Sequence, residues 1–84
     1  MARVRRRRRQ PRRLARKLLA IREGLGLSQS EMARRLDLNI AYTAISAYER
    51  GAREPDLITL LRYARAGRVT VERLIDDELD LPRK

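Results

Sequence analysis

From Pro11 onward the apolar residues recur at helical spacing, and no stretch alternates for long enough to form a half-buried strand, so the chain reads as all α. Leu14, Leu18, Ile21 and Leu25 stand at i, i+4, i+7 and i+11, the stripe of a first helix over roughly 12–23. Pro11 is tolerated in its first turn, and Gly24 and Gly26 are available to stop it. Ser28-Gln29-Ser30-Glu31 matches the capping box, in which the serine oxygen accepts from the N3 amide and the glutamate accepts from the Ser28 amide. Leu27 and Met32 flank it as a hydrophobic staple, so a second helix starts at Gln29, buries Met32, Ala33 and Leu36, and ends near Asp37. After a short turn through Asp37, Leu38 and Asn39, the residues Ala41, Ala44, Ile45 and Tyr48 make the narrow stripe of a third helix, closed by Gly51 at C′. Pro55 and the N-cap Asp56 open a fourth, with Leu57, Leu60, Leu61 and Ala64 as its stripe and Gly67 as its stop. Thr70 caps a fifth, with Val69 and Leu74 at the staple spacing.

The other side of the third helix carries Tyr42, Thr43, Ser46, Ala47 and Arg50 at i, i+1, i+4, i+5 and i+8, one face turned away from the core. That face is small and neutral to basic. The net charge of +10 sits elsewhere: residues 1–17 hold ten Lys and Arg and no acid, while residues 18–84 hold eleven of each sign. Arg3, Arg5, Arg6, Arg7, Arg8, Arg9, Arg12, Arg13, Arg16 and Lys17 repel one another and offer no apolar surface to bury. The chain therefore divides into an arginine-rich arm, 1–11, expected to be disordered when free, a folded domain, 12–76, and an acidic tail, 77–84. An arm of this kind suits a polyanion, and Arg3, Arg5 to Arg9, Arg12 and Arg13 are its candidate contacts.

With no cysteine and no histidine, zinc ribbons, disulfide frameworks, thiol nucleophiles and the usual general base near neutral pH are excluded. Glu72, Asp76, Asp77, Glu78 and Asp80 cluster, but a chain of 84 residues has little fold with which to build a pocket around them. They read as a solvated helix end and tail, with screening of the basic arm, or folding back on it, as the other reading, and neither an enzyme, a metal nor a cofactor is expected. No apolar run approaches the roughly 20 residues that a membrane span needs, which points to a soluble, cytoplasmic, nucleoid-associated chain.

Two short helices joined by a tight turn, the second with a polar outer face, are the geometry that delivers a helix to the DNA major groove. Residues 13–75 resemble the Xre/Cro-type helix-turn-helix regulators through Leu27-Ser28-Gln29, Ala33, Leu36, Ile45-Ser46, Glu49-Arg50-Gly51, Arg53, Pro55 and Leu60-Leu61. The resemblance implies a compact bundle of five short helices, like the DNA-binding domains of phage repressors, in which the second helix braces on the backbone and the third reads bases. It places Tyr42, Thr43, Ser46 and Ala47 at the bases, assigns Gln29, Arg50 and Arg53 to phosphates and positioning, and pairs Arg22 with Glu49 to link the first helix to the third. Two features depart from the family pattern. Between Leu36 and Gly51 the chain is two residues longer than the commonest spacing, so either the turn is longer or the third helix starts earlier, with Asn39 as its cap. The reading face also lacks an Arg, Asn or Gln for bidentate base contacts.

The function expected is a sequence-specific regulator of double-stranded DNA, acting as a homodimer because one small module contacts too few base pairs to be selective. Two other classes stay open at this point. One is a basic protein whose arm orders on folded RNA, and the other an antitoxin-type regulator with a toxin as protein partner.

Overall fold

The computed structural model describes residues 11–37 and 39–82. Most of the arginine arm, Leu38 and the last two residues lie outside them, and so does the disorder expected of the arm, Pro11 apart. Among the described residues five helices run in order: α1 (Leu14–Leu25), α2 (Gln29–Leu36), α3 (Tyr42–Glu49), α4 (Leu57–Gly67) and α5 (Val71–Ile75).

The helix ends follow the local chemistry. At α2 the Ser28 hydroxyl accepts from the Glu31 amide at 3.0 Å while Glu31 Oε1 accepts from the Ser28 amide at 2.7 Å, completing the capping box. Asp56 caps α4 through the Thr59 amide, and Thr70 caps α5 through the Arg73 amide. Gly26 ends α1 in the left-handed region at φ 71°. Gly51 does the same just after α3 at φ 73°, where the Ala52 amide donates back to the Ala47 carbonyl.

The longer connection ahead of α3 lies wholly in the turn. Asp37 and Asn39 take left-handed conformations, at φ 54° and 55°, which their short polar side chains tolerate. Ala41 then stands at the N-cap without a side-chain bond, and the helix begins at Tyr42.

Leu18, Met32, Leu36, Ile45, Tyr63 and Leu74 are fully buried and bring all five helices onto one core. The stripe of α4 is rotated from the one expected. Leu60, Tyr63 and Ala64 face inward, whereas Leu57 is 80% exposed, because the buried side of α4 is turned toward Thr59 and Tyr63 and leaves Leu57, at the end of the helix, on its edge. Gly67 does not stop the helix, which runs through it to a left-handed Arg68. It lets α4 approach α1: a Cβ there would lie 2.9 Å from Ile21 Cδ1 and 3.0 Å from Ile21 Cγ1.

The C-terminal segment docks against the start of α1. Both Asp77 carboxylate oxygens accept backbone amides, Arg12 at 2.8 Å and Arg13 at 3.0 Å. The Arg13 guanidinium donates to the Asp77 carbonyl and pairs with Asp80. Lys17, counted by its charge among the arm cations, is buried on the inner stripe of α1, where its ammonium donates to the carbonyls of Arg73 and Asp76.

Candidate nucleic-acid interface

The outward face of α3 is decided by what the helix buries. Ala44, Ile45 and Tyr48 point into the core, which leaves Tyr42 and Thr43 exposed and Ser46 and Ala47 half-exposed along the opposite side. Tyr42, at the first helical position, is 55% exposed and belongs to this face. Arg50 lies back along it, with Nε 3.3 Å from Ser46 Oγ.

One network holds α1, α2 and α3 in register. Arg22 of α1 donates from Nε to Glu49 Oε2 at 2.6 Å and from Nη2 to Oε1 at 3.0 Å, the bidentate fork that suits a carboxylate. A third donor, Nη1, meets the Leu27 carbonyl at 2.9 Å just ahead of α2. The two side chains are 16% and 6% exposed, so the pair is largely desolvated. The hydrogen bond to Glu49 outweighs burial and raises the Arg22 pKa further above its ordinary range, so the guanidinium stays charged. Gln29, the first residue of α2, donates to the same carboxylate at 3.1 Å. Its side chain is thereby tied to the end of the helix that carries the outward face.

Arg53, in the connection from α3 to α4, lies over the Tyr48 ring at 5.9 Å from the centroid, a cation–π contact that steadies a long side chain. Arg12 and Arg13, grouped with the arm by their charge, are at the foot of α1. Arg13 has its guanidinium engaged by Asp77 and Asp80, whereas the Arg12 side chain is exposed. Arg3 and Arg5 to Arg9 lie outside the described residues.

Sequence patterning passed over four contributors. Lys17 sits on the α1 stripe at i+3 from Leu14, a signal hidden by its charge. Tyr63 takes the equivalent place on α4, its ring edge-on to Tyr48 with centroids 6.4 Å apart. Arg62 donates to the Leu36 carbonyl at the end of α2. Asp77 reaches across 65 residues of chain, a distance at which spacing carries no signal.

The match to a family model spans residues 18–74, from the middle of α1 to α5, and the family is helix-turn-helix. This chain belongs to it. That membership makes it a DNA-binding transcription regulator and not an enzyme. Solved structures are similar to the helix-turn-helix protein as well, two of them as follows. One is the P22 c2 repressor protein in complex with a synthetic operator, 23% identical, with a TM-score of 0.69 over 76% of this chain and 94% of that one. At that identity the likeness is one of fold. The other is the hypothetical transcription factor NHTF from Neisseria, 32% identical, with a TM-score of 0.63 over 74% of this chain and 69% of that one. Curated protein sequences give no match. No helix among the described residues is long and apolar enough to cross a membrane.

Proposed function

We propose that this helix-turn-helix protein is a sequence-specific regulator that binds double-stranded DNA as a homodimer, with α3 in the major groove and α2 braced across the backbone. The observation that carries the reading is the uncovered face of α3, Tyr42, Thr43, Ser46 and Ala47, tied through Glu49 to Gln29 at the start of α2. Reading and bracing residues thus belong to one rigid unit. Gln29, Arg50 and Arg53 contact phosphates, and the arm, from Arg3 and Arg5 to Arg9, follows the backbone or enters an adjacent minor groove. Two copies supply the half-sites, about one helical turn apart, that a single module lacks.

Thr43 and Ser46 offer single hydrogen bonds and Ala47 a methyl, so the face suits thymine methyl contacts better than bidentate guanine recognition. The reading is tested by selecting a preferred site from random duplexes and measuring variants on it and on each of its single-base changes. Gln29→Ala and Arg53→Ala should weaken binding about equally on every sequence, since phosphate contacts carry no direct base information. Thr43→Ala and Ser46→Ala should change which base is preferred. A uniform loss from the latter pair would remove α3 from the role of reader.

A further inference from the structure

Arg12 and Arg53 stand 41 residues apart in the chain, yet they line one cleft, together with Pro11, Tyr48, Gly51 and Glu54. Its volume is about 210 Å³, below the roughly 300–1,000 Å³ of sites that enclose a small organic molecule, so it fits a single ionic group. Two arginines and one glutamate among the lining residues give it a net positive formal charge. The cleft adjoins the C-terminal end of α3, where the outward face of that helix stops.

Both arginines are held from behind. Arg53 rests on the Tyr48 ring. Arg12 is held through its backbone: α1 has no capping side chain of its own, and the two amides just ahead of it, those of Arg12 and Arg13, are taken by the Asp77 carboxylate. The exposed Arg12 side chain makes no hydrogen bond or close ion pair with the described residues, and only the longer-range attraction of Asp77 acts on it, so it can turn to an external anion. Asp80 and the Asp77 carbonyl, by contrast, occupy the Arg13 guanidinium. The acidic turn thus divides two adjacent arginines into one that locks the fold and one that faces out.

We propose that Arg12 and Arg53 form one seat for a DNA backbone phosphate, and that Asp77 is the positioning residue that holds Arg12 at it. This rests on the reading of the protein as a DNA binder and extends the contact surface beyond α2 and α3 to the foot of α1. Without Asp77 the residues ahead of α1 must be ordered on binding, and ordering even one of them then lowers affinity by on the order of tenfold.

The test is the slope of log K against log salt for the full-length chain on a duplex. Each neutralised phosphate contributes roughly 0.9, so Arg12→Gln with Arg53→Gln should reduce the slope by about 0.9 if they share one phosphate. A reduction of about 1.8 would mean two separate phosphates and overturn the shared seat. Asp77→Ala should weaken binding by about tenfold in the native background and have no such effect beside Arg12→Gln. Glu78→Ala makes the same change of charge nearby, from an exposed side chain, and should not weaken binding. Equal losses from Asp77→Ala with and without Arg12 would reduce Asp77 to a stabiliser of the fold. Arg12→Gln removes no described contact, so its result stands even if Asp77→Ala loosens α1. Absence of any salt-dependent binding by the native chain would instead refute the DNA reading itself.

Discussion

The Arg22–Glu49 pair gives the most direct measure of how α1 is tied to α3. Arg22→Ala leaves a carboxylate that is 6% exposed, with the Gln29 amide as its remaining donor among the described residues. Stranding one member of a fully buried pair costs about 3–5 kcal/mol, and so little exposure places this variant near 4 kcal/mol. Glu49→Ala strands a guanidinium that keeps the Leu27 carbonyl and has a 16% exposed edge through which it can reach water, so its loss belongs near the lower bound, about 3 kcal/mol. With both removed no charge is stranded, and the loss should not exceed about 4 kcal/mol, so the coupling is at least about 3 kcal/mol. Urea denaturation of the native chain, the two single variants and the double variant supplies the cycle. Thermal melts give a parallel reading, since 1 kcal/mol shifts the midpoint of a domain this small by roughly 4–8 °C. Additive losses would refute the reasoning, because they would mean that the two charges are solvated independently in solution.

Three further outcomes follow from the packing. Gly67→Ala gains helix propensity but places a methyl 2.9–3.2 Å from three atoms of Ile21, so it should destabilise by about 1 kcal/mol net; a higher melting temperature would show that α1 and α4 can part at no cost. The Tyr63 hydroxyl is buried without a partner among the described residues, and burial raises its pKa far above the ordinary value; Tyr63→Phe should therefore be neutral or stabilising by up to about 1 kcal/mol, and a loss in urea denaturation would reveal a bond to that oxygen. The Asp77 pKa is lowered chiefly by the amides of Arg13 and Arg12, that of Asp80 by the Arg13 guanidinium and that of Asp56 by the Thr59 amide. Glu31 is lowered likewise, from 4.5, by the Ser28 amide. A folded pKa below the unfolded value contributes stability above the ordinary carboxylate value that is lost as pH falls through the lowered one, so the starts of α1, α2 and α4 should lose amide-exchange protection below about pH 4, earlier than α3, which has no side-chain cap. Simultaneous loss of protection throughout would contradict this.

Much of this architecture was legible in local order. The capping box at Ser28, the caps at Asp56 and Thr70 and the glycine after α3 act over four or five residues, so spacing alone locates helix ends. The outward face of α3 followed from its narrow apolar stripe, and the Arg22–Glu49 contact from a family pattern in the right order along the chain. Other features depended on the meeting of distant segments. The turn ahead of α3 was ambiguous because Asn39 serves equally well as a helix cap or as a left-handed turn residue, and only the packing of Ala44 and Ile45 against the core fixes where the helix begins. Leu57, expected in the stripe of α4, is exposed and Tyr63, which the stripe passed over, is buried, because hydrophobicity ranks both as core residues while the rotation of α4 against α1 and α2 decides which one is covered. For the acidic segment and the basic foot of α1, spacing left two readings open, two solvated runs of charge or one folded back on the other. Lys17, Arg13 and Asp77 became structural only when the fold brought 12–17 beside 73–80 and supplied carbonyls and amides that exposed charges would otherwise have sought in water.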